Sequence, residues 1–118
     1  MVHRYQKQID AVQNNDLFTF KSFFNNEKFN PSFLKDWAIR YSAEVGNIDI
    51  VKLLIKDERV NINSCNNTPI INALKSGHTE IVHLLWNDKR VKSSLKKDNI
   101  KLYNKLIKQQ IKNTVEQF

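Results

Sequence analysis

Thr68–Leu85, TPIINALKSGHTEIVHLL, reads as two short helices joined by a tight glycine turn, and the rest of the chain reads as copies of this unit or caps upon it. Thr68 offers a hydroxyl that can cap a helix. Pro69 follows at the first helical position, where a missing N–H leaves nothing unsatisfied. Ile70, Ile71, Ala73 and Leu74 then supply an apolar face, and Gly77 ends the helix where the backbone needs positive φ. A second helix starts near Thr79, with Glu80 complementing the helix dipole and Ile81, Val82, Leu84 and Leu85 at helical spacing. Helices this short are marginal alone, so the pair predicts neighbours that cover both apolar faces.

Self-similarity supplies the neighbours. Gly46 and Gly77 are the two glycines of the chain and lie 31 residues apart. At that offset Gly46, Ile50, Val51, Leu53, Leu54, Asp57, Arg59 and Val60 fall on identical residues from Gly77 to Val91. One step back, Leu17 falls under Ile48, Phe20 under Val51, and Phe23 and Phe24 under Leu54 and Ile55, a more divergent third copy.

These residues carry a resemblance. TPIINALKSGHTEIVHLL resembles the helix-turn-helix of an ankyrin repeat, with the pattern TPLHxAAxxGHxxIVxLLL, and WAIRYSAEVGNIDIVKLLI is a looser version. The likeness covers residues 36–92 well and the flanks weakly. The connecting loops, 56–63 and 87–94, differ from the usual Gly-Ala-Asp hairpin, and the period is shorter than the family's. This short-repeat variant, in an Asn-, Lys- and Ile-rich chain, is similar to ankyrin proteins of social amoebae and of large DNA viruses of amoebae. The resemblance implies an all-α solenoid of about three repeats, closed by a C-terminal capping helix. It also implies that His78, after the turn glycine, is structural, alongside Gly46, Thr68, Pro69 and Gly77.

The expected organisation is one domain over 1–118. Residues 1–31 form an N-terminal cap repeat, 32–63 a middle repeat that starts near the candidate cap Asp36, and 64–94 the best-matching repeat. Residues 95–118 form a basic cap helix, started by Asp98, with Leu102, Tyr103, Leu106, Ile107 and Ile111 on one side. Phe18, Phe20, Phe23, Phe24, Phe29 and Phe33 are read as bulky filling for the end of a thin core rather than as a ligand pocket. Met1–Tyr5 lacks the pattern of a secretory signal, no apolar run approaches a membrane span, and the lone Cys65 has no partner for a disulfide. An intracellular, cytoplasmic monomer is expected, in the host's cytoplasm for a viral protein.

Charge is uneven. Of a net +7, the segment from Asp88 onward holds +6, with nine basic residues against Asp88, Asp98 and Glu116. That invites a nucleic-acid reading, but Lys101, Lys105, Lys108 and Lys112 recur at the spacing of a solvated helix face, and no reading motif accompanies them. Catalytic chemistry has less support. His78 and His83 are five apart with His78 at the turn, unlike the zinc motif HExxH, and Cys65 has no activating base in its own turn. No Gly-rich phosphate loop and no metal-ligand cluster stands out. The expectation is a non-enzyme with no cofactor and no metal.

Stacked repeats present a concave face built from loop tips and exposed first-helix positions. At the 31-residue offset these form two rows, Gln13, Glu44, Lys75 and Asn14, Val45, Ser76. Asp10, Tyr41, Asn72 and Tyr103 adjoin them, with Lys35 and Asn66 in the loops. Tyr41 and Tyr103 are the candidate anchors, because Tyr joins a large contact area to a polar end. Packing against a neighbouring first helix is the competing reading of Tyr41. The expected partner is another protein, with nucleic acid on the basic C-terminal segment as the alternative.

Overall fold

The computed structural model describes residues 4–116, so that residues 1–3 and 117–118, and the side chains of Ile111, Thr114, Val115 and Glu116, fall outside it. The elements are α1 (Gln6–Gln13), α2 (Leu17–Ser22), a 3-10 turn (Phe23–Asn25), α3 (Phe33–Val45), α4 (Ile48–Ile55), α5 (Ser64–Ser76), α6 (Thr79–Trp86), α7 (Lys89–Asp98) and α8 (Ile100–Glu116). Among the described residues there is no strand, and no helix is long and apolar enough to cross a membrane. The all-α repeat stack is therefore borne out. Helix pairs α1–α2, α3–α4 and α5–α6 follow one another at the 31-residue period, α3 packing on α5 and α4 on α6, in a body 52 × 27 × 23 Å.

The two glycine turns form as their sequence requires. Gly46 (φ 89°) and Gly77 (φ 76°) are left-handed, and the N–H groups of Gly46 and Asn47 bond the Ser42 carbonyl, closing α3. The second helices then lay Ile50, Val51 and Leu54, and one repeat later Ile81 and Leu85, into a single core. Its N-terminal end is aromatic: Phe20, Phe29 and Phe33 are buried, with edge-on contacts from Phe20 to Phe24 and Phe29 at 5.5 and 6.0 Å. Phe18 departs from the expectation. It is 87% exposed, because it takes the outward first-turn position that Asp49 and Glu80 hold in the later repeats.

Three local expectations are corrected. α3 and α5 do not start at side-chain caps; each opens with one left-handed turn, Leu34–Lys35–Asp36 (φ 52°, 54°, 59°) and Cys65–Asn66–Asn67 (φ 53°, 59°, 66°). The Thr68 hydroxyl donates to the Cys65 carbonyl instead of accepting from the helix, and the Asp36 carboxylate accepts from Ser32 Oγ (2.6 Å) and from the Asn61 N–H (3.0 Å). The last helix is capped by Asn99 rather than Asp98, Asn99 Oδ1 accepting from the Leu102 N–H at 3.2 Å.

The end of the stack differs most. Residues in register with the earlier loops coil into α7, whose start is held by Asp88 accepting from the Arg90 N–H. Val91 and Leu95, one helical turn apart, bury its inner face. This has a consequence at Asn67, the counterpart of Asp36. The Asn61 N–H that binds Asp36 corresponds to that of Lys92, which bonds the Asp88 carbonyl inside α7. Asn67 is 1% exposed and its Oδ1 has no partner among the described residues. Such an unmet acceptor costs about 1–3 kcal/mol. α8 then lies against α7 and against Trp86, whose ring meets that of Tyr103 at 5.6 Å and whose indole N–H donates to Gln110 Oε1 at 3.0 Å.

Candidate binding face

The right-handed parts of α3 and α5 end at Gly46 and Gly77, so their last turns stand clear of the second helices. Glu44, Val45, Lys75 and Ser76 lie there exposed, as do Gln13 and Asn14 at the end of α1, and Val45 shows 44% of its surface. Among the described residues the ion pairs are Arg59–Asp57 and Arg90–Asp88, so the charges of Glu44 and Lys75 are not paired within the chain. Lys35 and Asn66 occupy the middle of the two left-handed turns and point the same exposed register outward.

The inner row is less free. Tyr41 is half-buried and stacks on Trp37 (4.9 Å, 24°), extending a chain of rings through Phe33 to Tyr5. Asn72 is also half-buried, its side-chain amide donating to the Arg40 carbonyl of the preceding first helix at 3.4 Å. Asp10 is exposed and accepts from Gln6 Nε2 at 2.8 Å. Tyr103 keeps its place in the 31-residue register but turns its ring onto Trp86, so it sits apart from Tyr41 and Asn72. The structure thus brings together the positions on α1, α3 and α5 and the two loop tips.

The face is held in register by bonds that cross repeats. Asn47 Nδ2 donates to the Val12 carbonyl (3.0 Å), and His78 Nε2 lies 3.0 Å from the Glu44 carbonyl, its ring against Gly46. His78 therefore touches two successive repeats. A second set of ties escaped sequence reasoning. In Asp57-Glu58-Arg59 and Asp88-Lys89-Arg90 the carboxylate accepts from the Arg backbone N–H and guanidinium, while the guanidinium also donates backward to the Phe29 carbonyl (2.7 Å) or the Ile55 carbonyl (2.9 Å). The signal was present in the repeated Asp-x-Arg spacing. The Arg hydrogen bond holds the carboxyls of Asp57 and Asp88 below their ordinary value, against a smaller opposing effect of burial.

The residues 9–98 match the family described as ankyrin repeats, in three copies. The chain belongs to the ankyrin-repeat family. No curated protein and no solved structure matches it. Ankyrin repeats are in general non-enzymatic modules for protein–protein interaction, and the matched span runs from within α1 through α7. α8, with its row of lysines, lies beyond that span.

Proposed function

We propose that this ankyrin-repeat protein is a non-catalytic, monomeric binding module that captures a partner protein on the exposed ends of α1, α3 and α5 and on the loop tips Lys35 and Asn66. The observation that carries the reading is the contrast between two sets of periodic residues. The side chains of Asn47, Asn72, His78, Arg59 and Arg90 bond across repeats, whereas those of Gln13, Glu44 and Lys75 and of Asn14, Val45 and Ser76 recur at the same period with no such bond among the described residues. A rigid backbone carrying side chains that the fold does not use is the arrangement from which repeat proteins build extended contacts. Tyr41 contributes its outer edge as a pre-ordered aromatic contact, since its ring is already fixed on Trp37. The exposed free thiol of Cys65 fits a reducing, intracellular setting.

The test is affinity capture from a nuclease-treated lysate at near-physiological salt, comparing the full chain with a variant carrying E44K, V45D, K75E and S76D together. The expected result is a discrete protein retained by the first and lost by the second, with equal helicity by circular dichroism. Capture that survives the four substitutions removes this face from the function.

A further inference from the structure

The third repeat ends the stack on a surface that the second repeat keeps covered. At Gly46 the His78 ring fills the space beside the turn, with Cε1 2.7 Å from where a Cβ would stand. At Gly77, the same turn one repeat later, nothing among the described residues lies within 4 Å of that point. α8 passes the equivalent register without a glycine turn and stands off from the end of α5. Between them is a cleft of about 440 Å³ with Leu74, Val82, Trp86 and Leu106 as its apolar walls. Leu74, at 36% exposure, is one of the few large apolar side chains open to solvent.

The rim has a single sign. Lys105 borders the cleft, and Lys101, Lys108 and Lys112 continue along the adjoining face of α8. Among the described residues no carboxylate lines either surface. An apolar slot flanked by a cationic helix complements a segment with the opposite pattern.

We propose that this cleft is a second docking site, separate from the first-helix face, for an acidic amphipathic helical segment of another protein. Its aliphatic residues at helical spacing sit between Leu74, Val82 and Leu106, and its carboxylates meet the α8 lysines. The cleft volume falls in the range of well-formed binding pockets, about 300–1,000 Å³. Rim charges of this kind accelerate encounter and exclude partners of like sign more than they add affinity. A second copy of this chain is a poor occupant. Paired end to end through this cleft it would bring its own α8 lysines against the same rim.

The experiment titrates the nitrogen-15-labelled full chain with three probes: a synthetic Leu/Glu amphipathic helical peptide, the same peptide with every Glu replaced by Lys, and a short DNA duplex. The indole N–H of Trp86, bonded to Gln110, is the local reporter, and Trp37 is the remote control. The acidic peptide is expected to shift the Trp86 signal saturably and leave that of Trp37 in place. L74E is expected to weaken binding about tenfold, the worth of one aliphatic contact, and the pair K105E and K108E to weaken it and reduce its salt dependence. Equal binding of the lysine peptide, or no binding of the acidic one, overturns the proposal. So does DNA that displaces the acidic peptide and is insensitive to L74E, which would make charge alone the determinant. Self-association abolished by L74E would assign the cleft to a second copy and equally overturn it. K105E and K108E are on the exposed face of α8, so their result stands even if L74E disturbs folding.

Discussion

Alanine at the two turn glycines should give very different losses of stability, although the two turns are identical in sequence register. Both have φ near +80°, so a Cβ at either site carries the left-handed penalty of about 1–2 kcal/mol. For G77A that is the whole effect, since the space around it is open. At Gly46 the new methyl would meet His78 Cε1 at 2.7 Å, Nδ1 at 3.0 Å and Nε2 at 3.2 Å, which forces the ring out. The ring then loses its bond to the Glu44 carbonyl, worth about 1 kcal/mol, and the joint between repeats repacks at a further cost of about 1–3 kcal/mol. G46A should therefore lose about 2–4 kcal/mol more than G77A, a large fraction of the roughly 5–15 kcal/mol available to a small domain. Urea denaturation followed by far-UV circular dichroism and by Trp fluorescence measures both, the two probes together checking two-state behaviour. In an H78A background the overlap is gone and the two alanine variants should cost the same. Equal midpoint shifts in the wild-type background would refute the view that His78 clamps the repeats through Gly46.

Two further outcomes follow from the backbone and the Asp-x-Arg ties. Asp57 and Asp88 have folded pKa values below their ordinary 3.8, so their contribution is fully present above that value and is lost as pH falls through it toward the folded values. Because Arg59 and Arg90 are 46% and 41% exposed, solvent screening limits each tie to about 1 kcal/mol or less. Thermal midpoints should be flat from neutral pH to about 5 and decline below about 4, with part of that decline absent in D57N D88N. K35G should stabilise the chain by up to about 1 kcal/mol and K35V should destabilise it, because glycine tolerates the left-handed turn at φ 54° and a β-branched residue does not. If both substitutions destabilise equally, the left-handed turn at 34–36 is not the conformation in solution.

The repeat frame was legible because its signals are local. A glycine after an apolar helix, a helical run of Ile, Val and Leu, and a 31-residue return of both leave few alternatives, and the aromatic N-terminal core followed from residue volume except at Phe18. The left-handed turns were not legible. Leu34-Lys35-Asp36 contains no glycine, and what holds it there includes Asp36 accepting from Asn61 and Ser64 Oγ donating to the Lys35 carbonyl, both partners lying well along the chain. α7 was hidden for a different reason. KRVKSSLKKD offers just two apolar positions, Val91 and Leu95, and their burial against the third repeat makes the segment a helix.

The amino-acid sequence by itself determined the period, the handedness of the two glycine turns, which face of each helix is apolar and where the positive charge accumulates, since these depend on residue type and spacing within one or two turns. The tertiary structure alone decided which periodic polar residues are used between repeats and which are left to face a partner. It also decided that Tyr103 turns to Trp86 and that α8 stands off to open a cleft beside Gly77. Those outcomes depend on packing between elements some 30 residues apart in the chain, where a loop that coils into a helix displaces everything after it.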